Sequence, residues 1–486
     1  MSSAPRLRLF ASTALALALS GCMVGPNFIA PRAAVPAAYT GTGNLPYVSG
    51  DAVDPQWWNS FNDPELTQLE AQAVAQNLDL QIATQHLLEA EAQAKIAGAV
   101  LYPNLGGNAS YTYEAPSRKG VFDALGGGAE LPASDIAPLD IYQYGLQSMF
   151  DVDLWGKNRR AVEAAVAAAA SSQEARRAAL LNVETQVATT YIQLRGAQTV
   201  LNITQQNLAS ANQLVNLTVE RQQAGLTTAL DVATARASAA QIASQLPTLT
   251  AQQDALLNQL GLLLGELPGN LPPALSASAP VPLTPPTVPV GLPADLLRQR
   301  PDVREAEADL HEQTAEVGVA VAQFFPDLSL SGSISLQALQ LKNLNEFAAI
   351  TYALGPTLTI PLFEGGQLHG QLELRKAQQK EAAIGYAKTV LTAFSQVDTS
   401  LSAYTQDHAT MDALNTETQQ SQIALGLAED QYKQGLVDYL TVLNAQQSYL
   451  GAQQAQAQAT EKLGTDLVAL YQALGGGWQT VYPTAG

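Results

Sequence analysis

Few side chains in this 486-residue sequence are spaced to do chemistry. Four histidines, His86, His311, His369 and His408, fall in helical stretches with no metal-ligand spacing around them. No nucleophile elbow, phosphate loop or pair of catalytic carboxylates stands out, so neither an enzyme nor a metal centre is expected. Asp231 is the more telling acid, because it lies just past the helix-breaking pair Gly225-Leu226. Copies of it gathered on a symmetry axis would form a ring of carboxylates that attracts cations and repels itself. The plainer alternative is a solvated residue at a helix start, stabilised by the dipole.

Cys22 is the only cysteine and closes Leu19-Ser20-Gly21-Cys22. Ahead of it, Arg6 and Arg8 precede an apolar run from Leu9 to Leu19, too short to span a membrane as a helix and built like an export leader. The tetrad resembles the bacterial lipoprotein box, in which the cysteine is lipidated and becomes the new N-terminus. Residues 1–21 would then be a signal peptide; an incidental thiol is the alternative. With this cysteine assigned, no disulfide framework is possible. Charged residues make up 14% of the chain and its net charge is −19. Lacking a basic patch to release phosphate counterions, the chain is not expected to bind nucleic acid.

What must position these residues is told by hydrophobic period. Pro301 opens a helical pattern with apolar residues at Val303, Ala306, Leu310, Val317 and Val321. At Pro326 the period switches to two: Leu328, Leu330, Gly332, Ile334 and Leu336 share one face, and Asp327, Ser329, Ser331, Ser333 and Ser335 the other. Alternation over about ten residues suits a transmembrane barrel strand, apolar outside and wet inside. A half-exposed strand of a soluble sandwich would explain one such stretch, but the pattern recurs. Leu105, Gly107, Ala109, Tyr111 and Tyr113 alternate with polar residues, and Tyr142, Tyr144, Leu146, Phe150 and Val152 share a face within 141–154. Before them, Asp63-Pro64-Glu65-Leu66 opens a helix expected to run to Ala99. Long proline-free helices are expected over 157–223 and 366–432, each ended by a Gly-Leu pair, Gly225-Leu226 and Gly435-Leu436. Shorter helices follow over 229–264, with a kink expected at Pro247, and over 437–474. No stretch after Cys22 reads as a transmembrane helix, so any crossing must be by strands.

The second half repeats the first. A shift of about 223 residues sets Asp79-Leu80 against Asp302-Val303 and Pro103 against Pro326. Later the shift is about 210, setting Gly225-Leu226 against Gly435-Leu436 and Leu264-Gly265 against Leu474-Gly475. The divisions are 22–61, an extended segment after the anchor; 62–265, the first repeat; 266–293, a Pro-rich linker; 294–475, the second repeat; and 476–486, a tail. Each long helix would reach about 100 Å, matched by two shorter helices end to end, one of them the helix expected before each strand pair (65–99 and 294–322), with strands at one end and Gly-Leu turns at the other. Ridges such as Val390, Phe394, Val397, Leu401 and Tyr404, with Val187, Tyr191 and Leu194, are spaced for helix packing. Each half reads as helix, strand, strand, long helix, turn and shorter helix; the four strands this makes cannot close a barrel, and an open sheet would leave bare edges in hydrocarbon, so the chain must oligomerise.

These residues resemble the TolC-like outer-membrane efflux family, in its lipidated OprM/NodT-type branch. The resemblance covers the mature chain and is most specific at Arg300-Pro301-Asp302-Val303, Phe324-Phe325-Pro326-Asp327, Asp153-Leu154-Trp155-Gly156-Lys157, Gly435-Leu436-Val437-Asp438-Tyr439-Leu440, and Ala473-Leu474-Gly475-Gly476-Gly477-Trp478. It implies a mostly α fold with a β-barrel part: a homotrimer with a shared barrel of twelve strands in the outer membrane and a long helical tunnel in the periplasm. It implies a passive exit duct for small molecules, docked at its turns to a periplasmic adaptor and an inner-membrane pump of the resistance-nodulation-division type. No cofactor is implied beyond the lipid on Cys22. In the family, polar contacts near the turns hold the tunnel shut, and Asp231 and Tyr432 match such positions. Val437 and Thr441 stand where the TolC type has Arg and Asp, and Asn444 where Asp is frequent. That implies a weaker gate, closed by packing around Leu436, Leu440 and Leu443. Gly225, Leu226, Gly435 and Leu436 would meet the adaptor. The rival readings are the outer-membrane channel of a type I protein secretion system and, from another class, a lipid-anchored coiled-helix spacer.

Overall fold

The computed structural model describes residues 23–32, 36, 39, 47–115, 138–267, 269–285 and 287–482. In chain order the elements are β1 (Val48–Ser49), α1 (Pro64–Gln76), α2 (Leu78–Ala99), β2 (Asn104–Glu114), β3 (Leu139–Val152), α3 (Lys157–Gln223), α4 (Ala229–Leu263), α5 (Pro273–Ser276), β4 (Val288–Pro289), α6 (Pro293–Gln299), α7 (Pro301–Ala322), β5 (Asp327–Ala338), β6 (Ile350–Thr359), α8 (Gln367–Lys433) and α9 (Tyr439–Leu474). Both long helices, α3 and α8, have 67 residues. Two compact units emerge, one holding Glu89–Ala170 and Ala308–Ile384 with the segment up to Ala30, the other Pro31–Leu88, Ser171–Glu307 and Gly385–Gly486. Each draws on both halves of the sequence.

The first unit carries a four-stranded antiparallel sheet in the order β2-β3-β5-β6. Its register keeps the two faces chemically distinct across all four strands. Gly107, Leu146, Ile334 and Tyr352 fall in one row, and Ala109, Tyr144, Leu336 and Ile350 in the next on the same face. The opposite face carries Asn108, Gly145, Ser335 and Thr351 in one row and Asp151, Ser329 and Thr357 in another. A period of two in each strand, aligned by the pairing, is what makes a sheet amphipathic. Among the described residues nothing covers the apolar face: Leu105 is 72% exposed and Leu354 87%. At the foot of the sheet Trp155 stacks on Phe325 and donates from Nε1 to the Pro326 carbonyl at 3.0 Å. The segment following Cys22 docks here: Val24 N donates to the Trp155 carbonyl at 3.1 Å, and Arg160 Nη2 to Asn27 Oδ1 at 2.6 Å.

Helix packing builds the second unit. Trp57, wholly buried, stacks on Tyr471 at 5.2 Å, and the ridges Val187, Tyr191 and Leu194 of α3 and Val390, Val397, Leu401 and Tyr404 of α8 lie in the same core. Two segments that read as irregular in the sequence prove to be part of it. Residues 266–293, expected as a linker, hold α5 and β4, and β4 pairs in parallel with β1. Leu275, Val281, Val288 and Val290 of that stretch are buried. Such short, proline-flanked pieces have no period to betray them, and only the groove between helices fixes them.

Two expected helices are each broken once. The helix expected over 65–99 bends at Asn77, whose ψ is 129°. Its Nδ2 donates to the Leu263 carbonyl at 2.9 Å, and its Oδ1 accepts from Leu80 N, also at 2.9 Å, capping α2. In the second repeat, the segment expected to be helical from 294 to 322 bends at Arg300, with ψ 117°, because the proline that follows disfavours helical backbone there. The repeat shift sets Asn77 opposite Arg300, so one bend is made by two chemistries. Helix α4 runs through Pro247 without interruption.

Candidate functional site

The two turns that join α3 to α4 and α8 to α9 are built alike. Gly225 has φ 72° and Gly435 φ 77°, left-handed values that cost glycine least. Leu226 N donates to the Arg221 carbonyl at 2.8 Å and Gly225 N to that of Gln222 at 2.9 Å; Leu436 N and Gly435 N repeat this on Gln431 and Tyr432, both at 2.9 Å. These paired bonds satisfy the last carbonyls of each long helix and stop it. The chain then restarts on a polar cap. Thr228 caps α4, its Oγ1 accepting from Asp231 N at 3.2 Å, while Asp231 Oδ2 accepts from Thr228 N at 3.0 Å. In the second repeat the partners are exchanged: Asp438 is the cap and accepts from Thr441 N at 3.0 Å.

Asp231 therefore has a local role. Its Oδ2 also accepts from Thr227 Oγ1 at 2.5 Å, and these bonds to Thr227 and Thr228 hold its carboxyl below the usual range. Tyr432 is buried against Tyr439, ring centroids 6.1 Å apart, in a cluster with Leu214, Ala235, Ala428, Val442 and Leu443. Its hydroxyl has no hydrogen-bond partner among the described residues. Burial, helped by Tyr432 and Asp231, pushes the Tyr439 hydroxyl up to about 12. Of the leucines expected to pack at the gate, Leu443 is buried, whereas Leu436 and Leu440 are exposed within the chain, as is Asn444. Leu226 and Leu436 stand out at the tips, 66% and 69% exposed.

Two further residues belong to the site and are not among those expected from the sequence. Arg221, one turn before Gly225, reaches across from α3 to α8: its Nη1 donates to the Tyr432 carbonyl at 2.8 Å and its guanidinium covers the Tyr432 ring at 4.6 Å. A basic residue in a last helical turn was the available signal, but it pointed to Arg221's own helix. Leu230, 73% exposed, is the repeat counterpart of Leu440 and could have been found by that alignment.

Elsewhere three of the four histidines meet aromatic rings. His311 stacks on Phe28 and lies 3.0 Å from Glu163, His408 stacks on Tyr47, and His369 meets Phe324 edge-on. Among the described residues no group of three or more His, Cys, Asp or Glu side chains is arranged to hold a metal ion, and no helix is long and apolar enough to cross a membrane. Cys22 and the leader lie outside the described residues.

Comparison with known proteins agrees with this geometry. The sequence profile described as "Outer membrane efflux protein" matches residues 69–266 and 292–476, two stretches that follow the repeats. Nodulation protein T of Rhizobium leguminosarum bv. trifolii is 31% identical over 483 residues, 98% of this chain and 99% of that protein. The antibiotic efflux pump outer membrane protein ArpC of Pseudomonas putida is 32% identical over 479 residues, 95% of this chain and 94% of the relative. Among solved structures, the outer-membrane channel OprN superposes with a TM-score of 0.86 at 31% identity, over 94% of this chain and 100% of that one. With a site made of turns and caps instead of reactive groups, a sheet with a bare apolar face, and these matches over nearly its whole length, the chain belongs to the outer membrane efflux protein family.

Proposed function

We propose that this outer-membrane efflux channel works as a homotrimeric, passive exit duct for small molecules, anchored by a lipid on Cys22 and fed by a periplasmic adaptor and an inner-membrane pump of the resistance-nodulation-division type. The observation that carries the reading is the sheet. Among the described residues its apolar face is bare, and its two edge strands, β2 and β6, run in opposite directions with nothing paired to their outer edges. In hydrocarbon such edges are too costly to leave open, and β6 of one copy can pair antiparallel with β2 of the next to close a ring. Small-molecule cargo is supported by the relative named for antibiotic efflux. Docking of the segment after Cys22 at the foot of the sheet would hold a lipid on that cysteine close to the strand ends.

Asp231, Tyr432, Leu440 and Asn444 form the gate in this reading, and Leu226 and Leu436, presented by Gly225 and Gly435, meet the adaptor. Purification in mild detergent followed by planar-bilayer recording tests it. A trimer that conducts, with currents altered in Asp231→Ala and Tyr432→Phe, is expected. A monomer that keeps its full strand content would overturn the assembly, and currents unchanged in both variants would remove these two residues from the gate.

A further inference from the structure

After α9 the chain turns back onto the core of the second unit and closes over an unusual set of polar groups. Glu70 of α1, Glu184 of α3 and Trp57 are wholly buried, and neither carboxyl nor Trp57 Nε1 has a hydrogen-bond partner among the described residues. What lies against them is backbone. Gly477, with φ 137°, leaves no room for a side chain: a Cβ there would run into Glu184 Oε2 and sit 3.4 Å from Trp57 Nε1. Beyond it the segment is pinned by Trp478, 2% exposed, whose Nε1 donates to the Gln299 carbonyl at 2.8 Å. The guanidinium groups of Arg177 and Arg304 face its ring at 4.6 and 5.3 Å, and that of Arg176 faces the Tyr482 ring at 3.9 Å. Trp478 also clusters with Leu80 and Leu180, so residues 475–482 touch both helix bends, beside Asn77 and beside Arg300.

The charged groups on the elements around the two carboxyls are engaged with one another. Glu65 of α1 pairs with Arg195 of α3 at 3.2 Å, Glu174 with Arg177 at 2.5 Å and Arg304 at 2.8 Å, and Arg300 with Asp302 at 2.7 Å. Asp54 accepts from Gln56 N at 2.8 Å, and the Tyr471 hydroxyl, on the ring stacked against Trp57, donates to Ser60 Oγ at 3.4 Å. A carboxylate left unpaired in such a place is far costlier than a neutral acid, and burial pushes Glu184 up to about 8. Once ionised, Glu184 must gain water. Parting α1 from α3 would expose Leu66, Leu69 and Val187, whereas lifting a short non-helical end uncovers little beyond Trp478 and the glycines. We propose that Glu70 and Glu184 form a proton-operated latch for the C-terminal segment: with both protons in place residues 475–482 lie closed over the carboxyls, and loss of the Glu184 proton to solvent lifts them and loosens both bends. The latch is built within one chain, so it stands whether or not copies assemble.

A nitroxide label on Thr480→Cys, an exposed position of the segment, reads the latch in the full-length protein by electron paramagnetic resonance, with the signal of protein bearing only Cys22 subtracted. The lifted state binds fewer protons, so rising pH favours it. The ratio of mobile to immobile label should climb by up to about tenfold per pH unit through the range around the Glu184 value, reversibly and with unchanged far-ultraviolet circular dichroism. Glu70→Gln combined with Glu184→Gln keeps the side-chain shapes but cannot ionise, and its label should stay immobile throughout. If that pair does not fold, Glu184→Gln alone carries the same expectation. Trp478→Ala should be mobile at every pH. A label equally immobile in acid and alkali would overturn the proposal, as would glutamine variants that loosen like the parent. Loosening accompanied by loss of helical signal would overturn it too, because the whole unit would then be unfolding.

Discussion

Glu70 of α1 and Glu184 of α3 are wholly buried, and neither carboxyl has a hydrogen-bond partner among the described residues. Burial pushes Glu184 up to about 8, and burial together with Glu184 raises Glu70 well above the carboxylate range. Both are thus neutral in the folded protein under conditions where the unfolded chain would ionise them. For a raised group, stability is fully present below the unfolded value and is lost as pH climbs towards the folded one, at up to about 1.4 kcal/mol per pH unit for each group. Thermal melts should show wild type losing stability between pH 5 and pH 8, and Glu184→Gln losing less. Equal slopes would mean that the carboxyl is ionised and solvated in the native state. The sequence held a signal for Glu70: it falls in the helical stripe Leu66, Leu69, Glu70, Ala73, where the other members are apolar. Glu184 carried a weaker one, since the repeat shift sets it opposite Phe394.

At the level of elements, the Gly-Leu turns were fully legible, because a glycine after a long helical pattern, followed by a polar cap, is a local signal. Nothing lies within 4 Å of the place a Cβ would take on Gly225, so its left-handed backbone is the whole reason for glycine there. Gly225→Ala should therefore destabilise the turn by about 1 kcal/mol, with Gly225→Asn milder, measured as faster amide hydrogen exchange over 221–228. Unchanged exchange in the alanine variant would show that the turn is not held in this conformation. The bend at Asn77 could not be read this way. Asparagine is a weak breaker by itself, and what ends α1 is an acceptor, the Leu263 carbonyl, far away in sequence.

For the whole molecule, the decisive feature is that one sheet must face lipid and water at once. Leu354 lies on the apolar face beside Gly332, and Ser333 on the polar face beside Gln147 and Ala353. Leu354→Arg should cost about 2–4 kcal/mol of insertion near the bilayer middle and lower the heat stability of the proposed trimer on gels. Ser333→Arg should leave the oligomer intact and change the single-channel conductance. If the two variants exchanged these effects, the sheet would be facing the other way.

The sequence alone determined the long helices, the strands of the larger sheet, the duplication and the amphipathic faces, because each is written in a period or a length. Only the tertiary structure decided which charged groups are buried without partners, where Arg221 reaches, and how the Pro-rich segments pack. Those depend on contacts between residues tens to hundreds of positions apart, for which a single sequence has no period to display.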